Sequence, residues 1–514
     1  MITESENNKR IAKNTILLYI RMIFLLGVSF YTTRAVLQAL GVIDLGIYNV
    51  VGGVVVMFSF LNGSLSSASS RFITFELGKG NKEEIQKTFN TIVTVHFVFG
   101  LILFLLAETF GLWFVLNKLV IPDDRMVAAF WVYQSAVISA VIVILSSPFN
   151  ASIIAHEKMS AFAYISIYQA LAKLSIVFIL FAASLDKLIL YAVLLLMVQI
   201  SVIAIYVRYC RNHFEESNFR LCWYKDRIKT IFSYAGWVMT GSLAYLSCTQ
   251  GLNILLNIFF GPVVNAAQAL ATQLQGALNQ FSTNFMMAVK PQITISYAQG
   301  NLSRMHALVL TSTKLGALLM LIILVPFFIE TEFLLGIWLK DVPDYTVKFV
   351  RIMLCVGVIR AMMEPTMAAI HATGRIQKVE IVEMVCMLLL LPIAYMLLKF
   401  YSISPELVLV LYLITELYTQ IARVCVIYPV VGLRRRYYII NIILPIILSG
   451  GIAIIFCYVV KSNFTGDSII YHLLMILFAL FTVVSTSWFF GLNAVEKSTI
   501  KEKIFMMILK LIHK

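Results

Sequence analysis

The chain has 514 residues, of which 60% are hydrophobic and only 13% are charged, whereas soluble proteins carry about 25% charged residues. Apolar runs of about 18 residues or more recur from end to end, and each can cross a ~30 Å hydrocarbon core. This composition excludes a soluble protein and predicts an all-α, polytopic membrane protein. The net charge of +14 fits the Lys- and Arg-rich cytoplasmic loops of such proteins, and we predict no nucleic-acid partner.

The hydropathy pattern predicts about fourteen transmembrane helices. Their approximate bounds are 14–40, 44–70, 88–115, 127–153, 160–183, 187–208, 232–259, 263–290, 306–329, 346–371, 379–399, 405–428, 438–460 and 468–490. Of the Lys and Arg residues in the connections and helix ends, 26 fall on the side of the N-terminus and 7 on the other. This bias predicts that both termini are cytoplasmic. The N-terminal stretch is polar, so we predict no cleavable signal peptide.

Two stretches of the chain repeat one another at an offset of 220 residues. Gly41 and Gly80 in the first stretch correspond to Gly261 and Gly300 in the second. Further matched pairs are Pro148 with Pro365 and Ala155 with Ala372. We therefore predict two parallel six-helix repeats followed by two extra C-terminal helices. Parallel repeats are typical of transporters that handle their substrate between the halves.

The predicted domain organisation has five parts. They are an N-terminal six-helix bundle (1–207), a charged cytoplasmic linker (208–231), a C-terminal six-helix bundle (232–430), two additional transmembrane helices (431–492) and a tail (493–514). Apolar residues of the tail fall on one helical face and lysines elsewhere. We therefore predict an amphipathic cytoplasmic helix that lies on the inner leaflet.

No catalytic, nucleotide-binding or metal-binding motif occurs in the sequence. The P-loop, the zinc-protease helix and the nucleophile elbow are all absent. The seven cysteines have no ligand spacing and lie mostly in apolar runs, where a thiol behaves as a small hydrophobic group. We predict a protein that is not an enzyme and holds no metal or other cofactor. Coupling of its activity to Na⁺ or H⁺ is left open.

Polar side chains recur at helical spacing inside three predicted helices. The eighth carries Asn265, Gln268, Thr272, Gln275, Asn279 and Ser282, the seventh Gln250, Asn253 and Asn257, and the second Ser59, Asn62, Ser66 and Ser69. Such a stripe either makes hydrogen bonds between packed helices or lines a water-filled cavity. The number of polar side chains favours the cavity for the eighth helix, and the two interpretations are balanced for the second.

Basic residues inside the first, second and eighth predicted helices are candidates for substrate binding, because charges within a membrane are costly. Arg21 lies well inside the membrane, whereas Arg34 lies near the outer interface and can instead reach the lipid head groups. Arg71 and Lys290 close the second and eighth helices on the inner side. The excess of positive charge on that side is an alternative explanation for both.

Charged pairs in the later helices are further candidates. Arg360 and Glu364 are four residues apart, which allows an ion pair on one helix face. We favour a structural bridge over a switch within a cavity, and interpret Glu416 and Arg423 in the same way. Charged residues nearer helix ends are expected to extend towards the interface, namely Lys173, Lys314, Arg351, Glu380 and Glu383. His96 stands alone in the third helix and is predicted to be a packed residue.

Five short motifs carry a resemblance to a known family. They are Asn14-Thr15, Leu40-Gly41-Val42 with Gly46-Ile47-Tyr48, Arg71-Phe72, Gly78-Lys79-Gly80-Asn81, and Ser233-Tyr234-Ala235-Gly236-Trp237. Over nearly its whole length the chain resembles the polysaccharide branch of the multidrug/oligosaccharidyl-lipid/polysaccharide (MOP) exporter superfamily. These proteins are the O-antigen and capsule repeat-unit flippases of bacteria.

The resemblance implies a MATE-like, V-shaped pair of six-helix bundles in the bacterial cytoplasmic (inner) membrane. It implies that polyprenyl-pyrophosphate-linked oligosaccharide moves from the inner to the outer leaflet by alternating access, for surface polysaccharide and lipopolysaccharide (O-antigen) biosynthesis. Membrane lipids and other polysaccharide-assembly proteins are the further partners it implies. Arg21, Arg71 and Lys290 are the nearest counterparts of basic residues in the cavity of the related lipid II flippases.

Two other functions stay open. A MATE-type cation or drug antiporter has the same fold but needs a buried carboxylate in the first or seventh helix, and neither helix has one. A membrane polysaccharide polymerase or ligase usually needs a sizeable charged outer loop, which this chain lacks. The repeats also differ in charge, since the offset places Gly241 opposite Arg21 and Ile254 opposite Arg34. We predict that the first copy binds phosphate and the second faces the sugars.

Overall fold

The structure, a computed structural model, describes residues 4–498 apart from short gaps at 57–58, 120, 219, 221, 340–341, 465 and 495. The chain is 91% helical, and the described residues contain no strand. The all-α prediction is therefore confirmed. Most of the predicted amphipathic tail, at 499–514, lies outside the described residues.

Seventeen α-helices follow one another along the described chain. The first nine are α1 (Glu4–Val56), α2 (Ser59–Lys79), α3 (Lys82–Leu106), α4 (Leu112–Lys118), α5 (Met126–Ala155), α6 (Met159–Ala182), α7 (Lys187–His213), α8 (Lys225–Phe260) and α9 (Pro262–Ala298). The other eight are α10 (Leu302–Ile329), α11 (Thr331–Leu339), α12 (Thr346–Thr373), α13 (Gln377–Tyr401), α14 (Pro405–Val431), α15 (Arg435–Tyr438), α16 (Leu444–Asn463) and α17 (Ile469–Thr486).

Eleven helices of the described chain are long and apolar enough to cross a membrane, so the chain is a multi-pass membrane protein. Three of the predicted crossings are not among the eleven: the second, the eighth and the tenth. The second is represented by the short apolar stretch Ile43–Val55 followed by α2. The eighth and tenth correspond to α9 and α12, which are long but carry the polar and charged side chains. The count of fourteen stays a prediction.

The internal repeat is visible in the backbone. Gly41 is the one position inside α1 with a non-helical conformation, and its φ of 79° matches the 80° of Gly261 between α8 and α9. Gly80 and Gly300 follow α2 and α9 with φ values of 76° and 74°. Glycine is the residue that adopts such angles without a steric penalty. The four glycines therefore mark equivalent bends in the two copies.

The chain forms two compact units. The first comprises 1–243 and 287–302, and the second comprises 244–286 and 303–514. The division runs through α8 and α9, because the start of α8 and the end of α9 pack with the first unit. The predicted linker also belongs there: Arg227 donates to Thr88 Oγ1 at 2.7 Å. Close by, the ring of Tyr234 lies edge-on to Phe72 with centroids 5.5 Å apart.

In the first unit, α5 is central and packs against α2, α3 and α7. Its fully buried Tyr133 donates to the carbonyl oxygen of Ala107 at 2.5 Å. That carbonyl lies at the start of a π-helical turn, Ala107–Gly111, and such a turn alters the regular helical hydrogen bonding. At one end of the unit, the guanidinium of Arg125 binds Asp44 of α1 and, at 2.7 Å, Asp186 before α7. These contacts fix the arrangement of the helices that surround a cavity.

In the second unit, α14 packs against α12 and α13, while α16 pairs with α17. The two additional helices are joined to this unit through Glu330, a fully buried carboxylate after the end of α10. Lys461 of α16 lies 2.8 Å from one of its oxygens and His472 of α17 lies 2.7 Å from the other. The extra helices are thus integral parts of the second unit.

A close backbone approach at Gly78 gives the first prediction. A Cβ atom on Gly78 would lie 2.6 Å from Ala298 Cβ and 3.1 Å from the Ile295 backbone. Gly78→Ala should therefore destabilise the protein by about 1–3 kcal/mol through overpacking. Gly63→Ala on the same helix is the matched control, because nothing lies within 4 Å of its added methyl group. Thermal unfolding of the purified variants in detergent measures both effects, and equal midpoints for the two variants would contradict the packing argument.

Candidate functional site

The first unit encloses a cavity of about 540 Å³. Its lining comes from both arms of α1, from α2 and α3, and from α5, α6 and α7. None of the twelve side chains predicted to bind substrate lines it. The sequence analysis missed this cavity because its lining is spread over six helices, with few residues from each.

The polar lining of this cavity combines amides, hydroxyls and one amine. Asn62 of α2 and Lys173 of α6 both line it. Gln199 of α7 also lines it and accepts a hydrogen bond from Gln169 Nε2 at 3.3 Å, which leaves its own amide NH₂ as a donor. Tyr48 and Tyr191 form an aromatic wall, with ring centroids 5.0 Å apart at 61°. The cavity can therefore bind hydroxyl groups along amides and an apolar sugar face along the rings.

Lys173 lies near the middle of α6, which has 24 residues. Within the described chain it is the one charged residue of the cavity lining, and no described carboxylate pairs with it. The prediction that Lys173 extends towards the membrane interface is therefore wrong. The signal that could have revealed it is its position in the helix, since an intramembrane charge distant from both helix ends calls for a partner.

Arg21 is the candidate site residue whose charge lacks a carboxylate partner among the described residues. Its guanidinium carbon lies 4.4 Å from the centroid of the Phe162 ring, and its Nε is buried with no hydrogen-bond partner. Stacking on an aromatic face stabilises a guanidinium while leaving its N–H edge available. The arrangement suits a phosphate group, which Arg can bind with two parallel hydrogen bonds.

The other predicted basic residues have different surroundings. Arg71 is half-buried among aromatic rings, with its guanidinium carbon 4.5 Å from the centroid of Phe72, 5.0 Å from that of Phe75 and 5.5 Å from that of Tyr234. Arg34 is exposed on α1, and Lys290 is exposed on the part of α9 that belongs to the first unit. Arg21, Arg71 and Lys290 therefore lie in the same compact unit.

The polar stripe of α9 points largely into the second unit. Gln268, Gln275 and Ser282 are each only 5–6% exposed, and Gln275 and Asn279 border a small void against α10 and α12. Asn265 Nδ2 donates to the carbonyl oxygen of Asn253 at 2.8 Å. These contacts favour helix packing over a water-filled cavity for the stripe.

The exposed face of α9 lies one residue out of phase with the predicted stripe. Its members are Ala266, Ala269, Gln273, Gly276, Gln280 and Thr283. A shift of one residue is a rotation of about 100° on an α-helix. Thr272 is also exposed, as are Gln250 and Asn257 of α8. Accessible polar groups are therefore present on these helices, but most are not those of the predicted stripe.

The predicted bridge between Arg360 and Glu364 is not the pairing of the folded protein. Arg360 instead binds Glu416 of α14, with one nitrogen 2.5 Å and another 3.1 Å from Oε1. The same guanidinium donates to Tyr412 at 2.8 Å and to Tyr245 at 2.9 Å. The partner across the helix interface has a fully buried carboxylate, which makes it the better match. Glu364 accepts a long hydrogen bond from Thr283 at 3.5 Å.

Several other buried charges also pair between helices. Arg423 binds Glu383 of α13 at 2.6 Å, so the predicted interaction of Arg423 with Glu416 is wrong. Lys314, only 3% exposed, binds Glu496 at 2.7 Å rather than extending to the interface. His96 is packed as predicted, with Nδ1 2.9 Å from the Ile92 carbonyl oxygen.

Comparisons with known proteins identify the fold. No protein-family model matches the sequence, and no curated protein matches it. A crystal structure of MATE in the bent conformation aligns with a TM-score of 0.71 at 13% identity, over 81% of this chain and 94% of the other. An outward-facing multidrug resistance MATE family transporter of the MOP superfamily aligns with a TM-score of 0.68 at 13% identity, over 80% and 94%.

A third match is a MOP superfamily transporter from Pyrococcus furiosus, whose binding pocket is described as having reverse polarity. It aligns with a TM-score of 0.66 at 12% identity, over 83% of this chain and 96% of the other. Likeness at such identities shows a shared fold. The chain has the fold of MATE transporters, and the fold that its motifs implied is confirmed.

Proposed function

We propose that this protein is a transporter of the MOP superfamily that moves polyprenyl-pyrophosphate-linked oligosaccharide from the inner to the outer leaflet. The observation that carries the proposal is Arg21. Its guanidinium is half-buried, stacked on Phe162 and paired with no described carboxylate. A charge in that state is costly within a membrane unless an anionic ligand offsets it. Pyrophosphate supplies two adjacent anionic groups of the geometry that guanidinium binds best.

In this proposal the head group enters the protein while the polyprenyl tail stays in lipid. Arg21 holds the pyrophosphate, with Arg71 and Lys290 of the same unit adding positive charge. Alternating access then exposes the head group on the other side. An inside-negative membrane potential favours expulsion of an anion by about 2.3 kcal/mol per charge per 100 mV. Gradients of Na⁺ or H⁺ are further candidate driving forces.

The proposed location is the bacterial cytoplasmic membrane, with both termini in the cytoplasm. This orientation follows from the bias of basic residues towards the N-terminal side. The proposed role is in surface polysaccharide and lipopolysaccharide assembly, where enzymes that build and polymerise the repeat unit are the natural partners. Membrane lipids contact the apolar helix faces, such as the exposed Phe110 and Phe178 side chains.

A cation or drug antiporter is the second candidate. Glu364 of α12 favours it, because one of its carboxylate oxygens is buried without a hydrogen-bond partner. Against it stands the cavity of the first unit, where the charged lining residue is Lys173 rather than a carboxylate. A cationic substrate is repelled by an ammonium group in its binding cavity.

A leaflet-resolved assay tests the proposal. The purified protein is reconstituted into vesicles with radiolabelled polyprenyl-pyrophosphate-oligosaccharide, and a membrane-impermeant glycosidase reports the sugars on the outer surface. We expect the whole lipid pool to become accessible with the protein and only the outer-leaflet fraction without it. Equal accessibility in the two preparations would overturn the proposal. Efflux of an organic cation driven by a Na⁺ or H⁺ gradient, without head-group movement, would instead support the antiporter.

A further inference from the structure

The cavity of the first unit has no role in the binding of pyrophosphate by Arg21. We infer that it is a separate subsite for a sugar that carries a negative charge, with the chemistry of a hexuronic acid. The inference rests on the proposed function in one respect only, namely that this sugar belongs to the transported head group. The cavity itself stands on its size, its lining and its charge.

The size of the cavity points to a small organic ligand. At about 540 Å³ it falls within the range of about 300–1,000 Å³ that is typical of small-molecule pockets. A bare inorganic ion needs far less space. The subsite therefore fits a ligand of the size of one or two sugar rings.

The lining points to a ligand with several hydroxyl groups. Asn49, Asn62 and Gln199 supply amides, and hydroxyls come from Ser135 and Ser139. The Oδ1 atom of Asn62 is buried and has no hydrogen-bond partner in the structure. An acceptor in that state is costly, and a hydroxyl donor from a ligand removes the cost. Amides that both donate and accept match the hydroxyls of a sugar.

The charge points to an acidic sugar rather than a neutral one. Lys173 lines the cavity near the middle of its helix, and no described carboxylate pairs with it. A neutral sugar leaves that ammonium without a counter-charge at membrane depth. A carboxylate on the ligand supplies the counter-charge and forms a charge-assisted hydrogen bond.

The position of the cavity suits a sugar attached to a pyrophosphate at Arg21. Thr32 lines the cavity and lies on the same helix as Arg21. The two residues are eleven positions apart, which is about 16 Å along an α-helix at 1.5 Å per residue. One or two sugar units separate groups at such a distance. Arg21 and Lys173 would then recognise two negative charges on one elongated head group.

Ligand-dependent thermal unfolding of the full-length protein in detergent tests the inference. Sodium glucuronate, glucose and sodium chloride are titrated separately, with ionic strength held constant. We expect glucuronate to raise the unfolding midpoint of the wild type in a saturable manner, with glucose giving a smaller rise and chloride none. Lys173→Met should weaken the apparent glucuronate affinity by about 10-fold or more, the usual size of a lost charge-assisted contact. Lys173→Arg should retain most of it.

Two further variants serve as controls. Lys158→Met removes an exposed lysine just before the same helix and should leave the glucuronate response unchanged. Asn62→Ala should weaken glucuronate and glucose alike, and it keeps the inference testable if Lys173→Met does not fold. Equal responses to glucuronate and chloride would overturn the acidic-sugar assignment in favour of a bare anion. An unchanged glucuronate affinity in both Lys173→Met and Asn62→Ala would overturn the subsite.

The result is separable from the proposed function. Binding of free glucuronate needs no lipid-linked substrate and no movement between leaflets. Head-group movement without glucuronate binding would refute the subsite alone. Glucuronate binding without head-group movement would refute the flippase alone.

Discussion

Arg21→Ala should lower the rate of head-group movement between leaflets by about 10- to 100-fold, because a hydrogen bond to a charged group contributes about 1.5–3 kcal/mol. The half-buried guanidinium stacked on Phe162 is the proposed pyrophosphate ligand. Arg21→Lys should retain part of the rate, since an ammonium keeps the charge but loses the planar fork. The measurement is the initial rate of glycosidase accessibility in reconstituted vesicles.

Arg34→Ala is the matched control for this experiment. It removes an arginine from the same helix, but Arg34 is exposed and we expect its rate to stay close to that of the wild type. Western blots of the vesicles confirm equal reconstitution. A wild-type rate for Arg21→Ala combined with a slow Arg34→Ala would reverse the assignment of the two arginines.

Breaking the buried pair of Arg360 and Glu416 should destabilise the protein by about 3–5 kcal/mol, because the remaining partner becomes an uncompensated buried charge. Glu416 is fully buried and Arg360 binds it through two nitrogens. We expect this loss for Glu416→Leu and for Arg360→Met. The double variant should recover most of it, since well-packed apolar side chains can replace a buried ion pair. Free energies of unfolding from denaturant titration of the purified protein measure the three variants.

Lys348 provides the comparison for this pair. Its ion pair with Glu406 has a similar distance, 2.7 Å, but the lysine side chain is 67% exposed. Lys348→Met should therefore cost less than about 1 kcal/mol. A double variant of Arg360 and Glu416 that is no more stable than the single variants would show that the network with Tyr245 and Tyr412 requires the charges themselves.

The parts of the fold that the sequence predicts correctly are those set by local chemistry. Crossings follow from runs of apolar residues, because the membrane requires them. The repeat follows from Gly41, Gly80, Gly261 and Gly300, because a positive φ demands glycine wherever it occurs in the backbone. Each of these signals is complete within a short stretch of chain.

The errors arise where a property depends on which helices become neighbours. Arg360 has a local partner at helical spacing in Glu364, yet it pairs with Glu416, 56 residues later. The period of the polar residues on α9 predicts that they share a face but not which way the face points. A rotation of one residue separates the two outcomes, and only packing against α10 and α12 decides it. The Lys173 cavity is hidden for the same reason.

The contact at Gly78 has a meaning for the origin of the chain. At the repeat offset of 220 residues, the equivalent of Gly78 is Ala298, the residue whose Cβ it meets. In a symmetric pair, a residue that touches its own copy lies on the two-fold axis. We infer that an ancestor of half this length dimerised through this position, where each added methyl group would count twice. Once the halves became one gene, the second copy could become alanine while the first stayed glycine.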